Sequence, residues 1–143
     1  MRIINKKANF HYRLEPDKIE AGISLKGIEA KAIRDNRVDL SEANVRIMNG
    51  EAFLINANIP ARGIVGYDAT RIRKLLLHKS EVVALETKAK QLKLTLVPIV
   101  LYTKGRLVKL EIRLGKAKRK FEKRALIKAE DIKREIEQEY KVR

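Results

Sequence analysis

The chain has no cysteine and only two histidines, His11 and His78. Disulfides and thiolate metal sites are thereby excluded, and a histidine zinc site has too few ligands to form. No apolar run approaches the roughly 18 residues of a membrane span. Met1-Arg2-Ile3-Ile4-Asn5 holds nothing like the apolar stretch of a signal peptide. A cytoplasmic chain with no membrane partner is therefore expected. Glutamine occurs only at 91 and 138, while 36% of residues are charged against about 25% in ordinary domains. That balance points mildly to a heat-adapted source. Gly-rich phosphate loops, nucleophile motifs and metal-ligand spacings are all missing, so no enzyme and no cofactor are expected. His11, Tyr12, Glu15, Asp17 and Glu20 lie close in sequence and are the group from which a nuclease-like site could be imagined. Incubating labelled RNA with Mg²⁺ and protein would expose one.

What is present is positive charge. The 143 residues carry a net +15, enough chain for one domain with a real core. Residues 125–143 hold five cations and five anions, so residues 1–124 carry the whole excess. A folded portion this basic points to nucleic acid. The charge peaks at Gly115-Lys116-Ala117-Lys118-Arg119-Lys120-Phe121-Glu122-Lys123-Arg124, where six side chains are cationic and one is anionic. The stretch has no apolar periodicity. It gains little by packing on its own protein and much from a polyanion, because Lys and Arg on phosphates release condensed counterions. A solvated basic linker is the plainer reading of such a run. For Phe121 burial in a core is a poor reading, since cations surround it; stacking on a base could contribute about 1–3 kcal/mol.

The rest of the chain reads as a β-rich body followed by one charged helix. Asn5-Lys6-Lys7-Ala8-Asn9-Phe10-His11-Tyr12 mixes basic, amide and aromatic side chains that suit phosphates and bases; an N-terminal strand with a solvated face is the equal alternative. Ile19 to Lys26 alternates, with Ile19, Ala21, Ile23 and Leu25 on one face, which predicts a half-buried strand. Gly22 on its other face suggests a bulge or a close backbone approach. Residues 27–34 predict a short helix with Ile28, Ala32 and Ile33 inward. Val45–Met48 and Glu51–Ile55 flank Asn49-Gly50, the signature of a type I′ hairpin. Residues 58–70 read as loop. Residues 71–78 are ambiguous between strand and helix and are taken as a strand. A helix follows from about Ser80, its N-cap, to Gln91, with Val82, Val83, Leu85 and Ala89 as the apolar side. Leu94–Tyr102 is strand-like, and Pro98 implies an edge or a bulge. Val108, Leu110, Ile112 and Leu114 face in; Lys109, Glu111 and Arg113 face out. From Ala125 to Tyr140, the residues Ala125, Ala129, Ile132, Ile136 and Tyr140 form a narrow helical stripe, and such a helix is marginal without a surface to lie on.

The predicted fold class is mainly β with helices (β+α): an OB-like antiparallel barrel over residues 1–114 with a mid-chain helix, and a basic tail over 115–143.

In order along the chain, Asn5-Lys6-Lys7-Ala8, Glu20-Ala21-Gly22, Gly27-Ile28-Glu29-Ala30-Lys31, Val45-Arg46, Gly50-Glu51-Ala52, Arg73-Lys74-Leu75-Leu76-Leu77-His78 and the basic run ending Glu122-Lys123-Arg124 resemble the small protein B family, the tmRNA-binding (SsrA-binding) proteins of bacterial trans-translation. The resemblance runs from Asn5 to about Lys133. It implies a monomeric OB-like barrel, a tail disordered when free and helical when bound, and no catalysis. It also implies binding to the tRNA-like domain of tmRNA and delivery, with elongation factor Tu and GTP, to stalled ribosomes. The family's RNA-contacting positions fall on Asn5, Glu20, Leu76 and Lys109, with Lys6 and Lys7 beside the first. Lys116, Lys118, Arg119, Lys120, Phe121, Glu122, Lys123 and Arg124 fall in the segment that occupies the decoding centre and the empty mRNA channel, against small-subunit rRNA. Two departures stand out. Glu122 replaces the usual Asp, and Phe10 stands where His is common. A general OB-fold RNA-binding or ribosome-associated protein is the alternative, separable by competition with random RNA at raised salt.

Overall fold

The computed structural model describes residues 2–61, 63 and 65–141, and for Phe121 and residues 137–141 the backbone only. Eight strands and four helices follow in the order β1 (Arg2–Ile4), α1 (Ala8–His11), β2 (Tyr12–Leu14), β3 (Ile19–Ile23), α2 (Gly27–Arg34), β4 (Asn44–Met48), β5 (Glu51–Ile55), β6 (Arg73–Leu76), α3 (Lys79–Leu92), β7 (Thr95–Lys104), β8 (Leu107–Ala117) and α4 (Lys120–Lys141).

All pairings between these strands are antiparallel, and the sheet closes on itself. The order β7-β4-β5-β6-β3-β8 returns to β7 through the β7–β8 ladder, a six-stranded barrel. β1 adds to β7 and β2 adds to β8 outside that ring. Closure removes open edges from the six ring strands, leaving the short β1 and β2 as the edge strands among the described residues. Inside lie the apolar halves of the alternating strands: Ala21 and Ile23, Val45, Ala52 and Leu54, Leu75, Leu96 and Leu101, and Leu110, Ile112 and Leu114. α2 adds Ala32 and Ile33, and α3 adds Leu85.

The β4–β5 hairpin turns at Asn49 and Gly50, with φ of 52° and 76°. Positive φ at both central positions is what the type I′ turn demands. Pro98 breaks the β7–β8 register between itself and Val100. It therefore marks a bulge, since β7 pairs on β1, β4 and β8 and is no edge.

Several local expectations are corrected. Residues 5–11 form a turn and α1, and Tyr12 opens β2, so residues 5–12 are not a single strand. The α3 N-cap is His78. Its N–H donates to the Glu81 carboxylate at 3.2 Å, a bond that Ser80, inside the helix, cannot replace. Val83 points to solvent, so Val82 and Leu85 carry the packing. The last strand continues past Leu114 to Ala117, because Gly115, Lys116 and Ala117 pair with Leu14, Arg13 and Tyr12. The start of the basic run is thus part of the sheet, where the charge pattern alone suggested a segment too polar to pack.

One buried feature has no counterpart in the apolar pattern. Glu29 of α2 and Arg73 of β6 are both fully buried. The Glu29 carboxylate accepts from Arg73 Nε at 2.6 Å, from Arg71 Nε at 3.0 Å, from the Lys26 N–H at 2.8 Å and from the Tyr67 hydroxyl at 3.2 Å. Arg73 also donates to the carbonyls of Ala57, Ala69 and Arg71. One carboxylate thereby ties the loop 57–71 to α2 and β6. Burial alone pushes its pKa up. The hydrogen bonds from Arg71, the Lys26 N–H and Arg73, with the charge of Arg73, outweigh that and hold it at about 2.

Candidate nucleic-acid interface

Alternation along β6 puts Arg73 and Leu75 inside and Lys74 and Leu76 outside. Leu76 is 56% exposed, so core packing does not account for it. Opposite it on β3 stands Gly22, and opposite Gly22 on β8 stands Lys109. A Cβ on Gly22 would lie 3.2 Å from Leu76 Cβ. The missing side chain leaves a notch between the Leu76 and Lys109 side chains. Glu20, two residues along β3, shares that face. Together Glu20, Gly22, Lys74, Leu76, Leu77, His78 and Lys109 line an open groove of about 390 Å³. It has an apolar wall, a small floor and two lysines at its rim, the combination that suits a sugar or base edge flanked by phosphates. Lys74 and His78 were missed from the sequence; once 71–78 is read as a strand, alternation puts Lys74 beside Leu76.

Asn5 is not in this groove. It is buried between α1 and β7, where its N–H donates to Ile99 O at 2.8 Å and its Nδ2 to Pro98 O at 2.9 Å. Those bonds pin the chain entering α1 onto the Pro98 bulge. Its Oδ1 has no hydrogen-bond partner among the described residues. Lys6 and Lys7 are exposed on the turn before α1. Asn5 and Lys7 line a second cleft of about 290 Å³ with His11, Tyr12, Ser41, Glu42, Asn44 and Lys123. Burial first, then the charges of Lys123 and Lys7, push the His11 pKa down. The imagined nuclease group does not assemble. His11 and Tyr12 line this cleft, Glu15 and Asp17 a third against α3, and Glu20 the groove.

The basic run divides in two. Lys118 donates its N–H to His11 O at 2.8 Å and its ammonium to Asn9 O. Glu122 pairs with Arg13 at 3.0 Å, and Lys123 turns into the α1 cleft. These contacts seat the start of α4 on the body. Lys116, Arg119, Lys120 and Arg124 are exposed, free to meet an anionic surface. The Phe121 side chain lies outside the described residues. Beyond Arg124 the helix leaves Leu126, Ile127, Ile132 and Ile136 exposed; Tyr140, the last residue of the predicted stripe, has no described side chain.

The family model for the SmpB protein matches residues 2–142. The chain belongs to the SmpB family. Among relatives of this SmpB-family chain, the SsrA-binding protein of Mesoplasma florum is 46% identical over 142 residues, covering 96% of this chain and 95% of the relative. The SsrA-binding protein of a Sulfurihydrogenibium species is 47% identical over 141 residues, covering 96% and 91%. A solved chain described as "tmRNA-SmpB: a journey to the center of the bacterial ribosome" is similar at a TM-score of 0.67 and 36% identity, over 83% of this SmpB-family chain and 85% of that one. Among the described residues no helix is long and apolar enough to cross a membrane, and no group of three or more acidic or histidine side chains could hold a metal ion.

Proposed function

We propose that this chain binds the tRNA-like domain of tmRNA and acts with it on stalled ribosomes in trans-translation. The observation that carries the reading is the groove: Glu20, Leu76 and Lys109, far apart in sequence, line one surface notch at Gly22. The SsrA-binding relatives support the RNA partner, and the likeness to the tmRNA-SmpB ribosome structure supports the ribosomal setting.

The finer parts go further. The barrel with β8 through Ala117 is the tmRNA-binding body, and the segment from Lys118 on, with Lys116 exposed at its root, is the ribosome-directed tail. Lys116, Arg119, Lys120 and Arg124 meet rRNA phosphates in the decoding centre, Phe121 stacks there, and α4 orders along the empty mRNA channel. The support is the exposed cations and the unpacked Leu126, Ile127, Ile132 and Ile136, a helix that lacks a covering surface of its own. Asn5 serves RNA binding indirectly, by fixing α1. The protein acts as a cytoplasmic monomer, brings no catalysis of its own, and is joined by elongation factor Tu and GTP through the tmRNA.

The test is a titration of the tmRNA tRNA-like domain against ordinary tRNA and random RNA at several salt concentrations. The tRNA-like domain should win at raised salt. Lys109→Ala should weaken it and lower the salt slope by about one. Equal affinity for all three RNAs would favour a general RNA-binding barrel.

A further inference from the structure

The groove is one end of a longer line of side chains. Reading across the strands, Leu76 faces Gly22, Gly22 faces Lys109, Lys109 faces Tyr102, and Tyr102 faces Arg2. Residues directly opposite on neighbouring strands share a face. The row therefore crosses β6, β3, β8, β7 and β1 along the curved outer wall of the barrel, four strand spacings or about 19 Å of arc. Its outward direction is settled by its neighbours, since Leu101 and Leu110 are fully buried.

Glu20 lies beside this row. An unused carboxylate on a face meant for a polyanion would repel it. This one is engaged: Lys104 Nζ lies 3.9 Å from its Oε1, and its charge acts on the Tyr102 hydroxyl.

We propose that the RNA-binding surface continues past Lys109 to Tyr102 and Arg2, and that Glu20 is a positioning residue, its carboxylate holding the Tyr102 hydroxyl and the Lys104 ammonium without touching RNA. The inference rests on the reading that the groove takes tmRNA. Arg2 and Lys109 flank Tyr102 on its two neighbouring strands, so a nucleoside packed on the ring has a cation for a phosphate on either side. The hydroxyl stays protonated as a donor: burial, then the carboxylate of Glu20 and the charge of Glu111, push the Tyr102 pKa up to about 12.

The experiment measures affinity of the full chain for a tRNA-like-domain transcript across salt, with thermal melts of every variant. Arg2→Ala should lower the salt slope by about one, and Tyr102→Ala should weaken binding by about 5- to 150-fold, the cost of a lost base stack. Glu20→Ala should weaken binding about fivefold, the worth of one hydrogen bond, although it makes the surface more positive. In a Tyr102→Phe, Lys104→Ala background it should have no further effect. Tighter binding by Glu20→Ala, or an undiminished loss in that background, would overturn its positioning role. Normal affinity and slope in Arg2→Ala and Tyr102→Ala, while Lys109→Ala is impaired, would overturn the extension alone. No effect from Lys109→Ala would overturn the underlying groove.

Discussion

Replacing Glu29 by Gln tests the buried network most directly. The change keeps the volume and removes the charge. Arg73 stays fully buried, now without a counter-ion. Breaking a buried pair by removing one partner costs about 3–5 kcal/mol; because the Gln amide oxygen can still accept one bond, the lower end, about 3 kcal/mol, is expected. Linkage gives the same size by a separate route. The Glu29 pKa falls from an ordinary 4.5 to about 2 in the folded chain, which corresponds to about 3 kcal/mol. The sign follows from the depressed value. The stabilisation is complete above the unfolded pKa of 4.5, and it is lost as pH falls toward about 2. Guanidinium unfolding of both chains at neutral pH and down to about pH 2 should show a gap of about 3 kcal/mol at pH 7 that closes through this window. That is a large share of a typical 5–15 kcal/mol. The folded fraction should bind RNA nearly normally, because Arg73 and Leu76 lie on opposite faces of β6. A gap below about 1 kcal/mol, or one independent of pH, would refute the argument that this carboxylate neutralises the buried arginine.

Two further outcomes concern the tail. A chain ending at Arg119 should unfold cooperatively and bind the tRNA-like domain, whereas one ending at Leu114 loses the ladder of Gly115–Ala117 with β2 and should be less stable by a few kcal/mol at about 1 kcal/mol per hydrogen bond; equal melting of the two would mean that the ladder contributes nothing. Replacing Phe121, Lys123 and Arg124 together by Ala should leave tmRNA affinity within a few-fold and abolish peptide transfer to alanyl-tmRNA on stalled ribosomes. Collapse of both together would make the tail a tmRNA-binding element.

The linear order of residues determined much of what depends on period and local geometry, but not the α3 cap, which is His78 and not Ser80. Alternation named the strand that begins at Ile19, although it ends at Ile23 and not at Lys26, and the inward set Val108, Leu110, Ile112 and Leu114, and Asn49-Gly50 named its turn, because side-chain period and positive φ are local properties. The net charge of +15 determined the class of partner. Only the tertiary structure decided what depends on register between distant strands. Glu29, Arg71 and Arg73 look like ordinary surface charges in one dimension; folding places them together, where each makes the burial of the others affordable. Asn5 reads as a polar contact residue, yet the Pro98 bulge buries it. The resemblance puts Leu76 at the RNA, and the phase of β6, which turns it out over Gly22, is what makes that position available. Tyr102 carries no local signal at all. It joins Lys109 and Arg2 only because three separate ladders bring them into one row, and pairing across a closed barrel is a property of the whole sheet that no single strand encodes.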